Sequence, residues 1–401
     1  ATGEGIYTSL EAIKTALTKD QATVDGKKGT EQVPAAIVLL SEMDKGMART
    51  AQRHPTAEIA RSLRMAYAYG VEFLELGLGS ETERGFCSDM VNRLGLHGWR
   101  VRTAHWLAAR RRARLGKKLS AEDREQFERQ GYVLISNFLP TEEFESLRSA
   151  LLARAYPARE MVQGNAITRR IAINTAMLLD VPALRSLIRM PRWASLMRYV
   201  ASFDIEPLYY IQTILTHRAD GPPDPQLHLH DDTFHPTMKA WYFLSDVTED
   251  DGPLTYVDGS HRLTAERLAW ENSRALQAPE GMDFLSSRGS LRIEPEELPV
   301  LGLPPATHFT VPANTLVVVD TCGFHARGEA SRPSMRIEIW AYSRRNPFTP
   351  WSGMDVFSLS GLAERRIGAL WALRDRLKRW VGQPWTPVGT ITADHDRSSQ
   401  H

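Results

Sequence analysis

Cysteine is nearly absent: Cys87 and Cys322 are the only two among 401 residues. That argues against a disulfide framework and for two reduced thiols in a cytoplasmic, reducing setting, which also suits ferrous iron. Long apolar runs are missing as well. Stretches such as Leu316-Val317-Val318-Val319 are strand-sized, far short of a membrane span. Nor is there a surplus of one charge: 49 basic and 48 acidic side chains give a formal net charge of +1. Such a balance argues against binding nucleic acid by phosphate neutralisation. The opening residues Ala1-Thr2-Gly3-Glu4 lack the charged start and apolar core of a secretory leader. They also lack an initiator methionine, so the start is expected to have been altered. What remains is an ordinary soluble composition, 42% hydrophobic and 24% charged, at a length that suggests two or three structural units.

Residues 1–118 read as a helical N-terminal extension of unknown role, with apolar residues at helical spacing over 9–17, 57–76 and 86–109. Its end, residues 99–118, sets Arg110, Arg111, Arg112, Arg114, Lys117 and Lys118 beside Trp99, Trp106 and Leu107. Such a helix suits peripheral contact with an anionic membrane or a charged protein. It equally suits a solvated helix end whose cations complement the helix dipole. A new unit, 119–350, starts at Ser120, an N-cap followed by an acidic first turn. The pattern predicts a helix over 121–130 closed by Gly131, a strand over 132–135 and a helix over 142–155. From about residue 208 the texture turns to β. Strand-like alternation over 211–216, 239–244, 315–320 and 336–342, with Gly, Pro and Asp turns between, indicates a barrel or sandwich. Residues 351–401 read as a helical tail packing on the core, with Ile367, Leu370, Trp371, Leu377 and Trp380 in one stripe.

The chemistry centres on His228-Leu229-His230-Asp231-Asp232, answered far downstream by His325. His230-x-Asp232 with a distant histidine is the ligand set of a two-histidine, one-carboxylate facial triad, which holds Fe(II) with open positions for substrate and O2. On a strand, residues two apart share a side, so His228, His230 and Asp232 are expected to face one cavity. Two other readings stand beside it. His230 and Asp232 can be a surface pair with His325 in the core, or His228, His230 and His235 can form a zinc site that leaves Asp232 without a role. A carboxylate at position 232, where iron halogenases leave room for chloride, favours hydroxylation or another oxidation. Arg336, eleven positions after His325, offers a planar fork suited to the tail of a dicarboxylate co-substrate, or else an ion pair with Glu338.

Longer blocks resemble the phytanoyl-CoA dioxygenase family. They are the run from Phe127-Glu128-Arg129-Gln130-Gly131-Tyr132 to Asn137-Phe138-Leu139, then His230-Asp231-Asp232-Thr233-Phe234-His235-Pro236 with Lys239. Leu244-Ser245-Asp246 through Gly252-Pro253-Leu254 and Val257-Asp258-Gly259-Ser260-His261-Arg262 follow, and Asp320-Thr321-Cys322-Gly323-Phe324-His325-Ala326-Arg327-Gly328 with Arg336 completes the set. The resemblance spans roughly 120–345 and leaves the N-terminal region outside. It implies an α+β fold, a double-stranded β-helix (jelly-roll, cupin-like) core with flanking helices. It also implies an oxygenase using Fe(II), 2-oxoglutarate and O2.

By position, His230, Asp232 and His325 match the iron ligands and Arg336 the 2-oxoglutarate anchor. Gln212 matches a polar co-substrate contact, or is an ordinary strand residue. Arg327 departs from the small hydroxyl residue that relatives often carry, and would meet an anionic substrate or solvent. Lys239 would touch substrate or co-substrate, or sit in a salt bridge. His235 would line the substrate mouth or cap a turn. Arg169 and Arg170 would hold a carboxylate or phosphate, or form a solvated basic face. His261 reads as structural and Cys322 as a packing residue. The implied reaction is hydroxylation, desaturation or cyclisation at an aliphatic C–H of a small molecule (natural-product, acyl or anionic), with release of succinate and CO2. The other class is a metal-dependent non-oxygenase isomerase or a degenerate binding module on the same fold. Substrate and oligomeric state are not written in these motifs.

Overall fold

The structure, a computed structural model, describes residues 95–276, 286, 289–353, 359, 362–378 and 383–396. The helical expectations over 9–17 and 57–76 lie outside the described residues, as does the start of the one over 86–109. Helix α1 (Leu96–Leu115) buries Val101, Ala104, Leu107 and Ala108, the stripe that a 3.6-residue period places on one side. Arg111 on the same helix is buried: its Nε donates to Ser202 O at 2.9 Å and its Nη1 to Thr349 O at 2.6 Å. Those bonds fasten α1 to the segments around 202 and 349, so the expected boundary at 118 cuts through packed structure. Arg111 and Arg112, read from sequence as part of a solvated or membrane-facing end, are instead tethers. Among the described residues, no helix is long and apolar enough to cross a membrane.

Ser120 accepts a hydrogen bond from Asp123 N at 3.0 Å and starts α2 (Ala121–Gln130), which Gly131 closes at φ 91°. Nothing larger than glycine fits there, because a Cβ would come within 2.5 Å of the Tyr256 hydroxyl and of His261 Nδ1. Strand β1 (Tyr132–Ile135) and helix α3 (Thr141–Leu152) follow, close to the sequence expectation. Next come β2 (Tyr156–Gln163), β3 (Ala166–Ala172), and helices α4 (Thr175–Asp180), α5 (Pro182–Arg189) and α6 (Pro191–Ala201). Prolines at the first positions of α5 and α6 waste no hydrogen bond, because those N–H groups have no partner within a helix. The remaining elements are β4 (Leu208–Leu215), β5 (Met238–Phe243), β6 (Leu254–Tyr256), α7 (Ala265–Ala275), β7 (Thr307–His308), β8 (Leu316–Asp320), β9 (His325–Arg327), β10 (Met335–Ser343), α8 (Arg366–Arg376) and β11 (Thr386–Ile391).

The strands make an eight-stranded sheet, in the order β1-β8-β5-β10-β4-β3-β2-β11, and a three-stranded sheet, β7-β6-β9. Both are antiparallel throughout. The period of two in β10 sorts its residues between two cores. Ile337, Ile339 and Ala341 join the cluster built with α3, α5 and α6, including Leu147, Leu187 and Trp193. Trp340 and Tyr342 turn the other way, onto Trp241, Val317 and Val319 of the same sheet and Leu254 and Tyr256 of the small one. Two facing antiparallel sheets with helices on one outer face are the double-stranded β-helix of an α+β domain. Arg336 and Glu338 precede Trp340 by even steps and therefore share the inner face.

The tail corrects one expectation. Ile367 and Trp371 of α8 are buried as the stripe predicts, while Trp380 lies outside the described residues. Thr386–Ile391, however, is not helical; it pairs with β2 as an edge strand. Its β-branched residues, and Pro387 and Gly389 at a bulge, disfavour helix and tolerate an edge.

Candidate metal centre

The segment 229–232 threads between two others. His230 and His325 exchange both backbone hydrogen bonds, at 3.0 and 2.9 Å, and Asp232 N donates to Thr321 O at 2.9 Å. On the opposite flank Asp231 N donates to Leu291 O and Ile293 N to Leu229 O, both at 3.0 Å. This ladder makes residues far apart in sequence direct neighbours. It consists of isolated bridges rather than the regular strand expected across 228–232, because a turn at Pro225–Leu227, capped by Asp224, runs into it. His228 is accordingly exposed and does not share the cavity; its carbonyl accepts the His230 Nδ1 hydrogen at 2.7 Å. That removes the three-histidine arrangement.

His230, Asp232 and His325 converge, with one donor atom of each within 4.8 Å of the others. His325 Nδ1 donates to Gly323 O at 3.0 Å, as His230 Nδ1 does to His228 O. Fixing both Nδ1 hydrogens on carbonyls leaves each Nε2 as a lone pair directed inward. His325 Nε2 is buried without a hydrogen bond, a cost that a bound cation would offset. Burial pushes the His230 imidazole well below its ordinary pKa, with the neighbouring His325 adding to the effect. Burial likewise lowers His325 to about 4, against the pull of Asp232. Both rings are neutral near pH 7, the form that binds metal. Burial alone would raise the Asp232 carboxyl, but Lys239 and the two histidines hold it far below the usual carboxylate range. Two neutral imidazoles and a carboxylate fit a divalent iron ion, which three such protein ligands would leave able to take others.

Asp231 and Asp232 face opposite ways. Asp231 accepts from Arg267 Nη2 at 2.7 Å and Leu291 N at 2.9 Å, which leaves Asp232 as the carboxylate beside the two histidines. Sequence reasoning missed Asp231, and it missed Asp320 too. Asp320 Oδ1 accepts from Thr237 N and Cys322 N, both at 3.1 Å, so it ties together the chain after Asp232 and the chain before His325. Its Oδ2 receives Arg112 Nη2 of α1 at 2.7 Å. Helix α1 also holds Phe234: His105 Nε2 lies 3.2 Å from Phe234 O, and the Arg100 guanidinium stacks 4.8 Å from the Phe234 ring centre.

The other sequence candidates fall into three places. On the inner face, Arg336 Nε donates to Glu338 Oε2 at 3.1 Å and Nη1 to Gly252 O at 2.5 Å. Among the described residues no group hydrogen-bonds its Nη2. Gln212 joins the same chain of contacts, donating to Glu338 Oε1 at 2.8 Å while accepting from Arg170 Nε at 2.9 Å. Arg170 is stacked 3.9 Å from the Trp340 ring centre and 4.5 Å from that of Trp385. Both ends of the Gln212 amide, and the face of Arg170, are thus occupied by protein. Lys239, also on this face, reaches Asp232. Arg327 is paired with Asp224, away from solvent.

Arg169 is elsewhere. One residue along β3 from Arg170, it takes the opposite face, where it is fully buried against Glu160 Oε1 at 2.8 Å and the His395 carbonyl. No open basic face exists at that point, because the sheet separates the two arginines. His235 is buried beside Phe234, with Nδ1 3.1 Å from Pro236 O. Cys322 is a buried free thiol whose pKa burial raises well above normal, consistent with packing. His261 is buried against Phe127, as a structural residue would be.

Residues 127–283 match the family model described as phytanoyl-CoA dioxygenase (PhyH). The match takes in His230 and Asp232, while His325 joins them through the fold. The ectoine dioxygenase of Bordetella bronchiseptica is 30% identical over 165 residues, which is 36% of this chain and 50% of that protein. The Bordetella parapertussis ectoine dioxygenase gives the same figures, so the chain spans about half the length of these curated relatives. Among solved structures, the α-ketoglutarate-dependent carbocyclase SnoK from nogalamycin biosynthesis aligns at TM-score 0.37 and 20% identity, over 56% of this chain and 83% of its own. HygX from Streptomyces hygroscopicus, solved with nickel, 2-oxoglutarate and hygromycin B bound, aligns at 0.36 and 16%, over 56% and 86%. At those scores the fold assignment rests on the sheet topology itself. The family match covers residues 127–283, the stretch that carries His230 and Asp232.

Proposed function

We propose that this protein is an Fe(II)- and 2-oxoglutarate-dependent dioxygenase that hydroxylates, or otherwise oxidises, an aliphatic C–H of a small organic substrate, releasing succinate and CO2. The observation that carries the reading is the convergence of His230, Asp232 and His325, with both imidazoles held neutral and their Nε2 atoms turned inward. Bound iron with 2-oxoglutarate would activate O2 and supply the oxidising power toward the C–H bond. The chain's own part is to hold the ligands, exclude water and orient the co-substrate. Arg336 is suited to the last task, since Nη2 has no hydrogen-bond partner among the described residues. Charge supports the same assignment. On this inner face Arg170, Arg327 and Arg336 face Glu338 and Asp224, an excess of one cation that a single carboxylate would neutralise.

Succinate formation from 2-oxoglutarate under Fe(II), ascorbate and air tests the reading. Turnover that disappears in Asp232→Ala and His325→Ala is expected. No succinate despite one-to-one metal binding would leave the metal-dependent isomerase reading, and no metal binding at all would leave the degenerate binding module. We place the reaction in a reducing cytoplasm, where Fe(II) and the free Cys322 both persist.

For partners beyond the small molecule, the outer side of α1 supports a peripheral contact with anionic lipid. Trp99 and Trp106 are 60% and 55% exposed, Arg102, Arg110 and Arg114 share their exposure, and the helix has no acidic residue. Sedimentation with phosphatidylglycerol vesicles, lost in high salt and in Trp106→Ala, is the expected result. Equal sedimentation with neutral vesicles would refute it.

A further inference from the structure

Lys239 sits on β5, where it pairs with Tyr342 of β10 and Val319 of β8, two residues that line the space between the sheets. Its Nζ lies 2.8 Å from Asp232 Oδ1 and 2.7 Å from Oδ2. Only the contact with Oδ1 has hydrogen-bond geometry; Oδ2 is left without a hydrogen bond. Oδ1 is also the oxygen 3.6 Å from His325 Nε2. That spacing suits two atoms that ligate one ion side by side, each at about 2.1 Å. The Asp232 oxygen nearest to His325 Nε2, and so best placed for a shared metal ion, is therefore the one that Lys239 engages. The two side chains are only 18% and 17% exposed, so their attraction is weakly screened by salt.

We infer that Lys239 is a built-in competitor of the metal for Asp232. It donates to Oδ1 in the metal-free protein and cedes that oxygen to an arriving ion, turning its hydrogen bond to Oδ2, which already lies 2.7 Å away. The inference rests on the metal-centre reading above and adds to it two consequences for this chain. Metal affinity is held below what the three ligands alone would give, because each ion must displace a charged hydrogen bond and then tolerate an ammonium group nearby. With Oδ2 retained by Lys239, Asp232 ligates through one oxygen, so the coordination position that a two-oxygen carboxylate would fill stays open. A lysine that merely orients the carboxylate makes the opposite prediction, since removing an orienting partner of a metal ligand usually lowers affinity. The sign of the effect separates the two.

The test is Co(II) binding, followed by calorimetry and by visible absorption, in the full-length protein and its Lys239 variants. Lys239→Met and Lys239→Gln should bind Co(II) roughly tenfold tighter or more, the fold-change of losing one charge-assisted bond from a competitor. Their visible bands should weaken, as a carboxylate freed to use both oxygens raises the coordination number. Lys239→Arg, which keeps the cation, should bind no tighter than wild type. Should one neutral variant fail to fold, judged by circular dichroism, the other decides. Unchanged or weaker binding in the neutral variants, or tightening equal to that of Lys239→Arg, overturns the inference. Asp232→Ala and His325→Ala address the reading beneath it. Wild-type protein that binds no Co(II), or binding that survives in those two, would sink the metal centre itself and the role of Lys239 with it, whereas failure in the Lys239 variants alone leaves the centre standing.

Discussion

Replacing Gly323 by alanine should damage both the fold and the metal centre, by an amount that depends on one hydroxyl group. A Cβ at 323 would lie 2.0 Å from the Tyr256 hydroxyl, 2.7 Å from Tyr256 Cζ and 2.9 Å from Ser260 Oγ. Neither neighbour yields easily. Tyr256 is fully buried, donates to Asp320 O at 2.8 Å and packs edge-on against Tyr132. Ser260 donates to Val257 O at 2.6 Å and accepts from Phe324 N at 2.8 Å. Overpacking of this kind costs about 2–3 kcal/mol. Tyr256→Phe alone should cost about 1 kcal/mol, the net value of its hydrogen bond, since Gly323 N still donates to Asp320 O at 3.1 Å. In the double variant the nearest atom is gone, so alanine should cost about 1 kcal/mol less there than in the wild type. Urea unfolding of the four proteins closes the cycle. The Gly323 carbonyl also holds His325 Nδ1, so Gly323→Ala should weaken Co(II) binding about tenfold, with partial recovery in the double variant. Strict additivity, or wild-type stability in Gly323→Ala, would refute the steric reasoning.

Other perturbations have equally definite outcomes. Glu338→Gln leaves the buried Arg336 without its counter-ion and turns an amide donor toward either Arg336 or Gln212, so a loss of about 3 kcal/mol is expected in urea unfolding; a loss under about 0.5 kcal/mol would show the pair to be dispensable. Arg112→Met breaks the contact with the fully buried Asp320 and should cost a similar 3 kcal/mol or so. By the same logic a chain starting at residue 119 should lack cooperative unfolding, and a sharp transition in that chain would refute the role given to α1. Acid should act through the histidines. Burial lowers His261 to about 3 and His325 to about 4, from an ordinary value of 6.5. The unfolded chain therefore takes up these protons first, and the metal-free protein should lose stability steadily as pH falls from 6.5 toward 4. His261→Gln should remove about one proton from that slope; an equal slope in both proteins would place the titration elsewhere.

How far the molecule could be read from its sequence depended on whether the partners were local. Helix α2 was legible because Ser120, Asp123 and Gly131 act within a turn or two of one another. Strand β10 was legible because its alternation needs only the chain's own period, and Ile339 and Trp340 do go to different cores. His230, Asp232 and His325 were legible as types and spacings, yet nothing local says that the two histidines form one hydrogen-bonded pair. The failures are all at residues whose role is set by a partner far away. Adjacent residues in β3 have opposite fates: Arg170 stacks between two tryptophans, while Arg169 is fastened on the other face by Glu160 of the neighbouring strand and by the distant His395 carbonyl. Arg112 looked like one more cation in a basic run until the fold brought Asp320 to it. Of the charges misread as surface or substrate groups, Arg112 ties α1 to the segment before His325, while Arg169 is fastened on the far face of the sheet. A buried charge is tolerated where a partner meets it, and where that partner is far along the chain, as Asp320 is from Arg112, the ion pair records a tertiary contact that periodicity cannot.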